Sequence, residues 1–167
     1  PWRKNTSKEQ KLYFTLVSEF MLQQTQVSTV IPYFKRFVQK IPNFKKLSKA
    51  NDQTLMKLWE GLGYYSRVRN LKKSAIMING KFGGILPSNF EDLKSLPGVG
   101  DYTSTAIMAI AFNQKFIPLD GNVERILKRV LYLRSEKTIS KENMQISKKF
   151  FGLSERASDY AQAIMEL

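Results

Sequence analysis

Apolar side chains recur every three or four positions along nearly the whole chain: Leu55, Leu58 and Trp59, then Val68, Leu71, Ala75 and Ile78, then Val123, Ile126, Leu127, Val130 and Leu131. That spacing gathers them on one face of a helix, and no stretch alternates apolar and polar positions as a half-buried strand would. Proline and glycine interrupt the pattern at Pro32, Pro42, Gly61 and Gly63, Gly83 with Gly84 and Pro87, Pro97 with Gly98 and Gly100, and Pro118 with Gly121. These breakers predict roughly eight to ten helices joined by short turns. The expected fold is all-α. No linker-like or low-complexity stretch divides the sequence, so residues 1–167 read as a single unit of two helical lobes.

With 167 residues, 43% of them hydrophobic, the chain is long enough to bury a core without covalent help. Its 27 basic and 14 acidic side chains leave a net charge of +13, which favours a polyanionic partner, although lysine also serves as solvated filler on many helices. Neither cysteine nor histidine occurs. A disulfide scaffold, a Cys or His metal site, a cysteine nucleophile and a Ser-His-Asp triad are therefore excluded for these residues. Carboxylates, lysines, tyrosines and hydroxyls are left for chemistry. No apolar run reaches the ~18 residues of a membrane span, and "PWRKNTSKEQ" is no signal peptide, so no membrane association and an intracellular location are expected. A start at Pro1 and an end within the helical pattern of "AQAIMEL" suggest a piece of a longer protein.

One pattern occurs twice. "GLGYY" (Gly61 to Tyr65) and "GVGDY" (Gly98 to Tyr102) each follow one amphipathic helix and open another. Glycine permits a left-handed turn and close approach, and the helix start behind it offers N–H groups to an anion. Neither stretch follows a strand or matches a nucleotide-binding loop, so the alternatives are a plain helix hairpin or a grip on a nucleic-acid backbone phosphate.

Two carboxylates stand out. Between Leu12 and Leu22, "LYFTLVSEFML", Glu19 is the only charged residue, and its helical neighbours Thr15, Leu16, Leu22 and Gln23 include no cation. A carboxyl in such surroundings is expected to keep its proton more readily, as a general acid requires, unless it reaches solvent at a lobe boundary. Asp120 in "PLDGNVERIL" is placed as a helix N-cap, yet a second acid beside a proton-donating Glu is also the equipment for cleaving a glycosidic bond. The amides of "QQTQ", Gln23 to Gln26, are either helix-surface filler or groups that fill a base stack. Tyr64 and Tyr65, with Arg67 and Arg69 behind them, are either core aromatics or a stacking wedge.

Taken in order, "PWR", "SEFMLQQTQVSTVIPYF", "LWEGLGYYSRVRNL", "LPGVGDYTSTAI", "LDGNVERIL" and "AQAIMEL" resemble the MutY family of adenine-specific mismatch DNA glycosylases, within the helix-hairpin-helix or endonuclease III superfamily. The resemblance runs over nearly the whole chain and implies two helical lobes flanking a DNA-binding cleft, with the helix-hairpin-helix at about 91–112. It makes Glu19 the acid that protonates the adenine leaving group and Asp120 the carboxylate that stabilises or covalently traps the sugar cation. Asn122 lies beside Asp120, and Tyr102 faces the developing charge. Gln24 and Tyr64 enter the base stack, with Thr25 and Leu62 near the orphaned partner base. Gly98, Val99 and Gly100 hold phosphate through their N–H groups. Trp2 and Arg3 line the base pocket, and Gln162 sits where some relatives carry a pocket Glu. The implied partner is double-stranded DNA with A opposite 8-oxoguanine or G, bound by a monomer in the cytoplasm and nucleoid of a bacterium, or in the nucleus or mitochondria of a eukaryote.

The departures from the family also carry expectations. Relatives that nick DNA have a lysine two residues past the second hairpin glycine. Here that position is Tyr102, which implies base removal without strand cleavage. The family's four-cysteine motif begins just after the segment matching "AQAIMEL", so a 4Fe-4S cluster is expected in the full-length protein and no metal in this chain. The C-terminal Nudix-like domain is likewise absent from these residues. Two other readings remain: a thymine or uracil mismatch glycosylase of the same superfamily, whose members generally lack a Glu at the Glu19 position, and a non-catalytic helix-hairpin-helix DNA-binding module.

Overall fold

A computed structural model of the chain describes Trp2, residues 7–130, Phe151 and residues 155–166. The described residues form nine helices: α1 (Lys8–Leu22), α2 (Val27–Lys40), α3 (Phe44–Lys49), α4 (Asp52–Trp59), α5 (Ser66–Lys81), α6 (Phe90–Lys94), α7 (Asp101–Ile110), α8 (Gly121–Val130) and α9 (Ala157–Glu166). No strand occurs among them, and none of the helices is long and apolar enough to cross a membrane. Leu131 and Arg3, singled out in the sequence, lie outside the described residues. The chain divides into two compact units, Pro1–Val99 and Gly100–Leu167.

In the first unit α1 is the central element. Ser7 starts it by accepting the Gln10 N–H at 3.3 Å. From Leu12 to Met21 all but one residue, Phe14, are buried. A helix apolar around most of its circumference has to be covered on several sides, and α2 and α5 both pack against it. Edge-on aromatic pairs join α1 to α2 and α3 and α2 to α4: Phe14 meets Phe34 at 5.4 Å, Tyr13 meets Phe44 at 5.1 Å, and Phe37 meets Trp59 at 6.0 Å between ring centres. Asn43, Asn51 and Asn89 cap α3, α4 and α6 through their side-chain oxygens, so each of these short helices begins at a polar residue whose side chain replaces a missing backbone acceptor.

One breaker did not act as expected. Pro32 lies inside α2, which continues to Lys40. Its ring is exposed, and the buried face of Val30, Phe34 and Phe37 holds the helix together past the missing N–H.

In the second unit α9 packs on α7 and α8. Ile117, Val123, Leu127, Phe151, Ala157 and Ile164 form its core. Asn113 adopts a left-handed backbone (φ 54°) and ties the chain after α7 to the start of α9: its side chain donates to Glu155 O at 2.7 Å and accepts from Ser158 N at 2.9 Å.

The Tyr13 hydroxyl, 1% exposed, donates to Ile41 O at 2.5 Å, joining α1 to the end of α2. Burial pushes its pKa well above the ordinary value. Replacing Tyr13 with Phe leaves the Ile41 carbonyl without this donor and is expected to lower stability by about 1–2 kcal/mol, read as a shift of the urea midpoint at unchanged slope. An unchanged midpoint would show that the bond contributes nothing net.

Candidate functional site

Three loops of the first unit converge on the place where α1 ends and α5 begins. The first is the turn after α1, residues 23–26. The second is the glycine turn between α4 and α5. The third is the turn of the α6–α7 hairpin up to Val99.

Arg67, on the first turn of α5 and 6% exposed, joins the first two. Its Nη1 donates to Phe20 O (3.3 Å), Met21 O (2.9 Å), Gln23 O (2.5 Å) and Thr25 Oγ1 (3.1 Å). Its Nη2 donates to Leu62 O at 2.9 Å and Gly63 O at 3.2 Å. These carbonyls include the unsatisfied last acceptors of α1, where a cation also meets the negative end of the helix dipole. The guanidinium further lies over the Trp59 ring at 5.6 Å and the Tyr64 ring at 5.5 Å. Burial lowers the Arg67 pKa, and Tyr64 opposes that shift.

The third loop is docked on the same helices. Ser74 on α5 donates to Pro97 O at 2.8 Å, and Gln23 Nε2 donates to Gly98 O at 3.3 Å. Gly98 has φ +81°, and a Cβ there would meet Phe20 Cε1 and Asn70 Cβ, each at 2.9 Å. Only glycine satisfies both the left-handed turn and this approach.

The two glycine turns that echo each other in sequence therefore differ in shape. In the first, Gly61, Gly63 and Tyr64 all have positive φ, and its carbonyls turn inward to Arg67. In the second, Gly98 alone is left-handed, and Gly100 is the extended residue before α7. There Ser104 N is bonded back to Gly100 O at 2.9 Å, which closes the first turn of α7.

Each residue expected from the sequence can now be placed. Glu19 sits on α1, 5% exposed. Gln24 and Tyr64 are exposed at the tips of the first two loops, both with positive φ (56° and 46°), and Tyr64 is 63% exposed. Thr25 is half-buried under Arg67. Leu62 is buried, and its carbonyl is held by Arg67. Val99 is buried, and its N–H is donated to Leu96 O at 3.0 Å within the turn. Trp2 meets Phe34 edge-on at 5.3 Å. Arg3 lies outside the described residues.

In the second unit Tyr102 is half-buried on the first turn of α7. Asp120 caps α8, with Oδ1 accepting from Val123 N at 2.8 Å, while its residue stays exposed. Asn122 is exposed and accepts from Arg125 Nη2 at 3.4 Å. Gln162 donates to Ser158 O and Oγ, both at 3.0 Å. Glu19, Gln24, Thr25, Leu62, Tyr64 and Gly98 are thus brought together on α1 and the loops at its end in the first unit, and Tyr102, Asp120, Asn122 and Gln162 belong to the second.

Sequence reasoning underrated Arg67, which it noted only as a basic neighbour of the tyrosines. The signal is there: from Gly61 to Lys73 no carboxylate occurs, so a cation on the first turn of α5 has no local partner and opposes its own helix dipole.

A tight glycine turn between two short helices, docked beside an apolar helix that carries a buried glutamate, defines a helix-hairpin-helix protein of the DNA-repair kind. The chain belongs to the HhH-GPD superfamily of base excision DNA repair proteins, whose family model matches residues 17–151. It is 46% identical over 117 residues to the adenine DNA glycosylase of Buchnera aphidicola subsp. Baizongia pistaciae, covering 70% of this chain and 33% of that protein. To the adenine DNA glycosylase of Rattus norvegicus it is 43% identical over 178 residues, covering 100% of this chain and 34% of that protein. It therefore spans about a third of the length of these relatives. The solved structure of a thermostable thymine-DNA glycosylase matches with a TM-score of 0.82 at 25% identity, over 99% of this chain and 76% of that one.

The 4Fe-4S cluster that the resemblance implies for a full-length protein finds no fit here. These residues include no cysteine, and no group of three or more His, Cys, Asp or Glu among the described residues is placed to hold a metal ion.

Replacing Gly98 with Ala adds a Cβ against Phe20 and Asn70 in a left-handed turn. It is expected to lower stability by about 1–3 kcal/mol, read by urea denaturation; an unchanged midpoint would show that the hairpin tolerates the group.

Proposed function

We propose that this chain is the catalytic region of a monofunctional DNA N-glycosylase that removes adenine opposite 8-oxoguanine or guanine. One observation carries the reading: the carboxyl of Glu19, the only charged group of α1 between Leu12 and Leu22, is buried, and two exposed loop tips, Gln24 and Tyr64, are built at the end of the same helix. The named relatives, adenine DNA glycosylases at 43% and 46% identity, support it.

An adenine inside a duplex offers no route to its glycosidic bond, and extruding it costs a few kcal/mol. Tyr64 and Gln24 fill the space it leaves, and the hairpin N–H groups of Gly98 and Gly100 hold the backbone in place. Glu19 then gives its proton to a ring nitrogen of adenine, so that the C1′–N9 bond breaks with its electron pair leaving on a neutral base. Asp120 supports the resulting sugar cation. The cap to Val123 N fixes the direction of its second oxygen, and Asn122 and Tyr102 lie on the same unit. Water adds to C1′ and releases its proton, directly or through a carboxylate trap on Asp120, which completes hydrolysis. Tyr102 has no amine with which to attack the sugar, so the strand stays intact.

The test is incubation with duplexes carrying A opposite 8-oxoguanine, A opposite G, and T opposite G, with strands scored before and after hot alkali. Breaks at the A-containing strands only after alkali are expected. Glu19→Gln should slow adenine release about 10²–10⁴-fold. Asp120→Asn keeps a competent N-cap and removes the charge, so folding should be retained while release falls about 10²-fold or more. Release of T in place of A would move the protein to the thymine-specific class, and tight binding with no release of either base would make it a binding module.

A further inference from the structure

We propose that Arg67 is a positioning residue: its single buried guanidinium sets the backbone of both wedge loops, so that Gln24 and Tyr64 present themselves together to the base stack. This rests on the reading of Gln24 and Tyr64 as the stack-filling pair.

The first observation is the distribution of its bonds. Nη1 reaches the carbonyls of Phe20, Met21 and Gln23 and the hydroxyl of Thr25, which flank Gln24, while Nη2 reaches the carbonyls of Leu62 and Gly63, which precede Tyr64. The planar fork spans both loops at once. A lysine ammonium in the same place is a point donor and holds one loop at a time.

The second is backbone strain. Non-glycine residues with positive φ among the described residues are Gln24, Tyr64 and Asn113. Asn113 is explained by its own bonds to Glu155 and Ser158. The other two are the wedge residues themselves, and such conformations persist only where the surroundings fix them. Their immediate neighbours are the groups that bond Arg67.

The third is what a plain structural role would not require. Arg67 makes no ion pair with a carboxylate among the described residues, its Nε has no hydrogen-bond partner there, and its charge sits at the unfavourable end of its own helix. Capping α1 alone would be met by a shorter donor. Joining two loops 40 residues apart in sequence, Gln24 and Tyr64, is what the fork adds.

The experiment replaces the target adenine, opposite G, with 2-aminopurine, whose fluorescence rises on unstacking. The complete protein carries Glu19→Gln so that the base is not released. Arg67→Lys is compared with Arg67 at a temperature well below both melting points. The expected result is duplex binding within about threefold, a fluorescence rise reduced about tenfold, and, in the Glu19 background, adenine release slowed about 10–100-fold on an A·G duplex. On a duplex where adenine faces an abasic gap, and so is already poorly stacked, the same substitution should slow release less than about threefold.

Equal loss on both duplexes, or an unchanged fluorescence rise, overturns the proposal. If Arg67→Lys does not fold, Arg67→Gln, which has amide donors and no buried charge, takes its place with the same expectations. If neither folds, Arg67 is a stability determinant of the whole unit and the proposal also falls. Absence of both fluorescence rise and adenine release with Arg67 intact would instead defeat the underlying glycosylase reading.

Discussion

Helix α1 is apolar around most of its circumference, and the first unit is arranged to keep water from it. Covering such a helix takes more than one partner, which is why α2 and α5 both pack on it and why Phe34 of α2 and Phe44 of α3 meet its aromatic rings edge-on. The same constraint explains two features that would otherwise be anomalies. A charged group on α1, Glu19, is buried because the segment around it, Leu12 to Met21, is buried at every position but Phe14, and carbonyls at the C-terminal end of the helix are met by a cation. The buried acid and the guanidinium at the helix end are two consequences of one burial requirement.

Periodicity and breakers were enough for the fold class and for most element boundaries. The breakers Pro97, Gly98 and Gly100 fall between α6 and α7, and the asparagines ahead of α3, α4 and α6 cap them as polar side chains before helices do. Pro32 misled because a breaker rule is local, whereas three buried side chains on the far face of α2 decide whether that helix continues. The site was legible where a residue broke a composition rule in its own segment: Glu19 is the lone charge in an apolar run, and Asp120 precedes a helix. It was illegible where the signal was conformational. Nothing in "QQTQ" shows that Gln24 is left-handed, and nothing in "GVGDY" shows that the Val99 N–H is consumed by Leu96 O.

The two glycine turns illustrate how one sequence pattern serves two physical ends. In "GVGDY" a single left-handed glycine lets the turn lie against Phe20 and Asn70, where a side chain would collide. In "GLGYY" the left-handed stretch extends through Tyr64, which turns the preceding carbonyls inward and the aromatic ring outward. One arrangement serves the close approach of backbone to a packed helix, and the other presents a side chain.

The inward carbonyls of that second arrangement have to be satisfied by a donor, and this decides which residue type follows. Water would satisfy them but would leave the loop free to move. An ammonium would satisfy part of the set. A guanidinium carries donors on two nitrogens at fixed angles, so the positions of Leu62 O and Gly63 O become tied to those of Met21 O and Gln23 O. The cost is a buried charge whose compensation comes from carbonyl dipoles and the Trp59 and Tyr64 rings rather than from a carboxylate. A carboxylate in that place would compete with the carbonyls for the same N–H groups and loosen the tie between the loops. The absence of acidic residues from Gly61 to Lys73 is therefore part of the device: it keeps the donors of Arg67 directed at backbone, where they fix shape.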